Sequence, residues 1–173
     1  MADIVKAYRQ EIPAMRFIGK KYEDGDRVNG MFGAVWGTWF ENGWFAPLES
    51  RMSDAWKSAY EDSDAYVGLM RWKSGEPFEY WVGMFAPADS DVPEGYAFCD
   101  FPAGALGVCW VYGKEPEVYG VEDKCAARLG KENLNIVADE AGAYWFFERY
   151  GCPRFTAPDE QGNIILDICH YVK

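Results

Sequence analysis

A pattern that occurs twice along the chain constrains its fold more than any other feature. Residues 12–14 read Ile-Pro-Ala and precede an apolar stretch at 15–22, and residues 101–103 read Phe-Pro-Ala and precede an apolar stretch at 104–112. Proline cannot donate to a ladder of hydrogen bonds, so each copy predicts a strand, a bend or bulge, and a second strand. Each copy is followed by a helical segment and two further β-like runs. The sequence therefore predicts two βαββ halves.

Periodicity and turn signals give the individual elements. Apolar residues recur at three- and four-residue spacing in the helical segments, while the β-like runs are bounded by Gly, Pro and Asp. The predicted helices cover 29–41, 47–56 and 115–129, and the predicted strands cover 15–22, 65–72, 78–85, 96–101, 105–112, 143–150 and 163–171. This succession favours an α+β fold with a mainly antiparallel sheet.

The length of 173 residues suits a single domain. We expect one half at about 1–88 and the other at about 95–173, joined by a linker rich in Pro and Asp. Because the predicted domain begins almost at residue 1, we expect no DNA-binding domain.

Composition excludes several classes of function. A formal net charge of −11 argues against a nucleic-acid partner, since phosphate binding requires a basic surface. With one histidine and five cysteines without a CxxC pair, neither a metal site nor a cofactor is expected. The odd cysteine count and the lack of a signal peptide favour a cytoplasmic protein with reduced thiols. No apolar run approaches the ~18–20 residues of a membrane helix, so no membrane partner is expected.

The most informative stretch is the aromatic run at 144–150, because it contains a single carboxylate. On a strand, Tyr144, Phe146, Glu148 and Tyr150 share one face. A carboxylate among aromatic rings is unfavourable to desolvate unless a positive charge meets it, and ring faces attract cations as well. The alternative is a surface glutamate that pairs with Arg149 or with Arg154.

The order of these parts resembles the GyrI-like (gyrase-inhibitor-like) effector-binding domains, also found in regulators of the AraC and MerR types. The resemblance covers essentially the whole chain, and its most specific piece is Glu148-Arg149-Tyr150 followed by a glycine turn and the apolar strand at 164–168. It implies two halves related by a pseudo-twofold axis around a central groove. Members bind amphipathic, often cationic, aromatic compounds there, with a glutamate as counter-ion.

The resemblance carries particular residues with it. Glu148 occupies the place of the counter-ion, and Tyr150 shares its face. Tyr66 and Tyr80 on the first hairpin resemble the aromatic wall of the groove. We add Trp36 as groove lining, although core packing is an alternative for it and for Trp39. The predicted ligand-binding residues are Glu148, Tyr150, Tyr66, Tyr80, Trp36, Phe146 and Tyr144.

Three functions are compatible with these residues. The leading hypothesis is a small-molecule binding protein of the multidrug type, whose groove holds a hydrophobic, cationic aromatic ligand. A second is a hydrolase of strained electrophiles such as cyclopropanoids, in which Glu148 acts as general base on water. The third is a gyrase-type inhibitor that binds an unidentified protein partner. The DNA-binding role of the related regulators is not transferred to this chain.

Overall fold

The computed structural model describes residues 1–173 and contains eight strands and four α-helices. A single turn of 3₁₀ helix covers Asp24–Asp26. The strands are β1 (Asp3–Ile12), β2 (Met15–Tyr22), β3 (Tyr66–Trp72), β4 (Glu79–Pro87), β5 (Ala97–Phe101), β6 (Gly104–Gly113), β7 (Tyr144–Tyr150) and β8 (Ile164–Val172). The helices are α1 (Gly33–Asn42), α2 (Ala46–Glu49), α3 (Asp54–Lys57) and α4 (Glu122–Lys131).

All eight strands form one antiparallel sheet in the order β1-β6-β8-β7-β3-β4-β2-β5. If each strand of the first half is exchanged with its counterpart in the second half (β1 with β5, β2 with β6, β3 with β7 and β4 with β8), the result is the same order read from the opposite end. At the centre β3 pairs with β7, with Leu69 opposite Phe147. Equivalent registers in the two halves place the pseudo-twofold axis between Gly68 and Glu148, which are opposite each other in this pairing. The duplicated α+β architecture predicted from the sequence is therefore confirmed.

The paired strands β1 and β6 continue into the paired strands β2 and β5 as one long two-stranded ribbon, which bends at Pro13 and Pro102. Ile12 pairs with Gly104 on one side of the bend and Met15 pairs with Phe101 on the other, in the same register. The two arms of the ribbon belong to opposite ends of the sheet, yet only two residues join β1 to β2. A dipeptide spans far less than six strand spacings of about 4.8 Å each, so the sheet must curve strongly.

Buried side chains form a core on each side of this sheet. One face packs a single cluster that includes Phe17, Leu69, Phe85 and Phe147. The other face carries the helices, with α1 over the first half and α4 over the second, and each helix has its own cluster. The helix-bearing face between α1 and α4 is the predicted central groove.

Two predicted helices begin later than expected. The first begins at Gly33 because Asn29 and Gly30 adopt positive φ angles of 54° and 77°, which a helix cannot contain. The helix predicted over 115–129 begins only at Glu122, after a turn that holds Pro116 and ends at Gly120 with φ of 71°. The segment predicted at 47–56 divides into α2 and α3. No helix has the length and apolar character that crossing a membrane requires.

Candidate ligand-binding groove

The groove between α1 and α4 is a cavity of about 1350 Å³. Its floor is formed by the central strands β3 and β7 with β4, and its walls by the two helices and the segments that precede them. Half of its lining is apolar, and most of this part is aromatic. A cavity of this kind is the usual form of a small-molecule site in proteins.

Glu148 lies in the floor of this groove and is 8% exposed. The hydroxyl of Tyr150 donates a short hydrogen bond to Glu148 Oε2, and the hydroxyl of Tyr80 lies 3.5 Å from the same oxygen. Tyr80 in turn accepts from Trp36 Nε1 at 2.9 Å. Burial raises the pKa of Glu148 to about 7, although these hydrogen bonds act in the opposite direction.

No basic side chain pairs with Glu148. The neighbouring Arg149 points to the opposite face, where its guanidinium lies 2.9 Å from Asp167. Arg154 also pairs with Asp167, at 2.8 Å, and with Asp62, at 2.6 Å. The alternative of a surface glutamate neutralised by Arg149 or Arg154 is therefore wrong.

Gly68 makes this arrangement possible. It lies directly opposite Glu148 in the β3–β7 register. A Cβ atom at Gly68 would collide with the hydroxyl of Tyr80 and lie 3.4 Å from Glu148 Oε2. The absence of a side chain at this position therefore gives the Tyr80 hydroxyl room to reach the carboxyl group.

Aromatic rings stack along the α1 side of the groove. Phe32 stacks on Tyr80 with ring centroids 4.0 Å apart, and Trp36 meets Tyr150 edge to face at 4.8 Å. Tyr66 stacks on the core residue Phe45 at 3.7 Å and donates a short hydrogen bond to Glu49. These contacts fix the orientation of the rings that face the cavity.

The structure brings six of the seven predicted site residues together. Tyr144 is the exception, because it lies at the far end of β7, is 38% exposed and contacts Trp72 outside the groove. The six that line the cavity are Glu148, Tyr150, Tyr66, Tyr80, Trp36 and Phe146.

Several lining residues were not predicted. Phe32 belongs to the apolar stripe of the first predicted helix, so its spacing was visible, but not its stacking on Tyr80. Tyr119 and Glu122 were placed in the middle of a predicted helix, whereas they belong to a turn and to the first turn of α4. Phe155 packs against Tyr150 at 4.6 Å from a segment without a recognisable signal.

Most tryptophans pack away from the groove. Trp39 of α1 is fully buried in the core beneath that helix, and Trp81 belongs to the core cluster of the opposite face. Trp110 and Trp145 pack against that same cluster, and Trp72 is 49% exposed. Trp36 is thus the tryptophan that lines the groove, and core packing applies to Trp39.

Acidic groups dominate the charge of the lining. Seven carboxylate side chains face the cavity, whereas Arg27 is the single basic residue there. Glu122 in the first turn of α4 is half-buried, and burial raises its pKa. A cation that enters the groove therefore meets a negative potential.

His170 is buried, and it stacks on Phe146 with centroids 5.4 Å apart. Burial lowers its pKa to about 4, so this ring is neutral at physiological pH. No cluster of three or more His, Cys, Asp or Glu side chains has the geometry to hold a metal ion.

Comparison with known proteins gives matches among solved structures only. No protein-family model and no curated protein sequence matches the chain. SAV2435 bound to tetraphenylphosphonium is similar with a TM-score of 0.66 and 17% identity, over 98% of this chain and 94% of that one. A putative bacterial transcription regulation protein from Staphylococcus aureus MU50 has a TM-score of 0.61 and 15% identity, over 97% and 98% of the two chains. A hydrolase from Listeria innocua has a TM-score of 0.51 and 10% identity, over 97% and 92%.

These similarities establish the fold. They extend over nearly the whole chain, so both βαββ halves have counterparts in the neighbours. The resemblance to GyrI-like effector-binding domains is thereby confirmed at the level of the fold. At such low identities the fold by itself assigns no activity.

Proposed function

We propose that the groove binds a hydrophobic, cationic aromatic small molecule and that Glu148 is its counter-charge. One observation carries this proposal: Glu148 is a buried carboxyl group without a basic partner, in a cavity walled by aromatic rings. The rings of Trp36, Tyr80 and Tyr150 offer contact area and cation–π attraction.

The energetics favour a cation over a neutral ligand. With a pKa of about 7, Glu148 is partly protonated in the empty groove at neutral pH. A cation seated beside it favours the ionised form, so binding expels the proton and replaces the missing charge partner. We expect affinity for a permanent cation to rise as the pH increases from about 5.5 to 8.

The bound ligand of one neighbour supports this assignment. SAV2435 has the same fold and binds tetraphenylphosphonium, a bulky aromatic cation. The AraC- and MerR-type regulators use this domain to sense compounds, and one similar structure is a putative transcription regulation protein. The five cysteines of this chain are all free, which supports a cytoplasmic location.

A titration with two ions of one shape tests the proposal. Tetraphenylphosphonium and tetraphenylborate have similar size and apolar surface but opposite charge. Tryptophan fluorescence should report binding of the cation through Trp36, whereas the anion should bind far more weakly. Glu148→Gln keeps the size of the side chain and removes its charge, so it should weaken cation binding by about 10- to 100-fold.

The control is Glu160→Gln, which removes one negative charge from an exposed residue outside the groove. This variant should bind the cation with wild-type affinity. Equal affinities of wild type and Glu148→Gln for tetraphenylphosphonium would remove Glu148 from the proposed site. Equal affinities for the two ions would contradict a site selective for cations.

A hydrolase is the second candidate, favoured by the pKa of Glu148. A carboxyl group with a pKa of about 7 in a cavity is suited to act as general base on water. One of the neighbours with this fold is a hydrolase. Turnover of a cyclopropanoid electrophile that is lost in Glu148→Gln, while binding of the electrophile persists, would favour this function over binding alone.

A further inference from the structure

The guanidinium of Arg27 packs on two aromatic rings at one side of the groove. Its guanidinium lies 4.4 Å from the ring centroid of Phe32 and 5.4 Å from that of Phe78. Both rings line the cavity, and Arg27 is the only basic residue that does so. The protein thus places a planar cation of its own on the aromatic wall.

A carboxylate faces this guanidinium from the other wall. Glu122 lies in the first turn of α4 and lines the same cavity. Burial raises the pKa of Glu122, and the positive charge of Arg27 lowers it by a smaller amount. No ion pair joins the two side chains, so Glu122 has no directly contacting basic partner on the groove wall.

The rings that Arg27 covers connect directly to the surroundings of Glu148. Phe32, which Arg27 covers, stacks on Tyr80 with an interplanar angle of 4°. The hydroxyl of Tyr80 lies beside Glu148 Oε2. Glu122 also acts on Glu148 through space, because its charge raises the pKa of that buried carboxyl group. The two carboxylates therefore belong to one electrostatic site with aromatic rings between them.

The contacts that hold Arg27 in place are weak. Its Nε lies 2.9 Å from Asp24, and its Nη1 donates to the backbone oxygen of Gly30 at 3.0 Å. The side chains of Arg27 and Asp24 are 33% and 66% exposed, and ion pairs at such exposure contribute little because water screens them. A ligand group with the same chemistry can therefore replace the guanidinium.

We propose that the groove contains a second cation subsite, formed by Phe32, Phe78 and Glu122, in which Arg27 stands in for a group of the ligand. The preferred ligands are then elongated aromatic dications. One cationic end lies beside Glu148, and the other, a planar amidinium or guanidinium, displaces Arg27. This inference rests on the proposed function. The cavity of about 1350 Å³ exceeds the roughly 300–1000 Å³ of common ligand pockets and leaves room for such a molecule.

Calorimetric titration with a matched pair of probes tests the second subsite. One probe is a bis-benzamidine joined by a pentane tether, and the other has a neutral carboxamide in place of one amidinium. The dication should bind wild type roughly tenfold more tightly than the monocation, since a half-exposed cation–π and carboxylate contact has that strength. Glu122→Gln should abolish this ratio. Arg27→Met should raise the ratio severalfold, because it removes the competing guanidinium.

Matched controls separate local effects from a change in net charge. Arg9→Met and Glu160→Gln make the same changes at exposed residues outside the groove and should leave the ratio unchanged. A ratio near one in wild type, or one that neither Glu122→Gln nor Arg27→Met alters, overturns the second subsite.

The Glu148→Gln variant distinguishes failure of this inference from failure of the proposed function. If Glu148→Gln weakens both probes while their ratio in wild type is near one, only the second subsite fails. If neither probe binds wild type, both proposals fail.

Discussion

Gly68 and Glu148 occupy equivalent places in the two halves, yet one has no side chain and the other carries a carboxyl group. The pseudo-twofold axis passes between these two residues, which face each other in the β3–β7 pairing, and Glu148 is 8% exposed. Glycine occupies the first place without any polar side chain. The fold therefore does not require a carboxyl group at such a position, and the presence of Glu148 points to ligand binding rather than to folding.

The two arginine–carboxylate pairs on the opposite face give a second comparison. Arg71 and Glu79 are cross-strand partners in the first half, as Arg149 and Asp167 are in the second. The first pair is 14% and 19% exposed, whereas the second is 2% and 0% exposed. The same scaffold therefore holds one ion pair near solvent and one sealed in the interior, where Arg154 also contacts the carboxylate.

The largest effect is expected from breaking the sealed pair. Asp167→Asn removes the negative charge between Arg149 and Arg154 and leaves Arg149 buried without adequate compensation. The free energy of unfolding should fall by about 3–5 kcal/mol, measured by urea denaturation at pH 7. A loss below about 1 kcal/mol would show that the two ion pairs are energetically alike despite their different burial.

A smaller effect of opposite sign is expected at the groove. Glu148→Met replaces the carboxyl group by an apolar side chain of similar length and should raise the free energy of unfolding by about 2–3 kcal/mol at pH 8. The folded-state pKa of Glu148 is about 7, above its ordinary value of 4.5, so the folded protein binds more protons between these values. Ionisation of Glu148 therefore destabilises the fold progressively as pH rises from about 4.5 to 7. The gain in the variant should be close to zero at pH 4.

Comparing each variant with wild type at the same pH isolates Glu148 from His170. The pKa of His170 is lowered from 6.5 to about 4, so His170 destabilises the fold as pH falls through that range in both proteins. The difference between the two unfolding curves cancels this contribution. A Glu148→Met variant that is less stable than wild type at pH 8 would contradict the view that Glu148 is unfavourable for folding.

The smallest effect is expected at the half-buried pair. Glu79→Gln should change the free energy of unfolding by less than about 1 kcal/mol, because Arg71 keeps Glu76 at 3.2 Å as a second partner. Glu79 also accepts from Trp81 Nε1 at 3.1 Å, and glutamine can keep that hydrogen bond. Urea denaturation in parallel with Asp167→Asn measures both pairs under one condition. Equal losses in the two variants would remove the distinction between the halves.

Sequence reasoning succeeded where a local pattern decides the structure. Alternation along β7 correctly placed Glu148 on one face and Arg149 on the other, and the two Pro-Ala segments located the bends of the long ribbon. It failed where the outcome depends on distant contacts. Tyr144 lies on the same face of β7 as the groove residues, but the cavity does not reach that end of the strand, so Tyr144 lies outside the groove.

Other features of the site have no local signal. Asp62 approaches Arg154 from a loop ninety-two positions earlier in the chain, which no periodicity predicts. Gly68 has no local signal for its role, because that role depends on Tyr80 from the neighbouring strand. The late start of α4 depends on backbone turns around Pro116 and Gly120, which outweighed the apolar spacing of the segment.

The palindromic strand order has a consequence for how the two halves could diverge. Two identical βαββ chains that exchanged their first strands would form the same sheet as a homodimer. Symmetry would then force every change to appear twice, so a glutamate at the place of Glu148 would also replace Gly68 directly opposite it, and the two carboxylates would repel each other across the axis. Joining the halves in one polypeptide removes this restriction, so a single carboxylate can be present in one half of an otherwise duplicated fold.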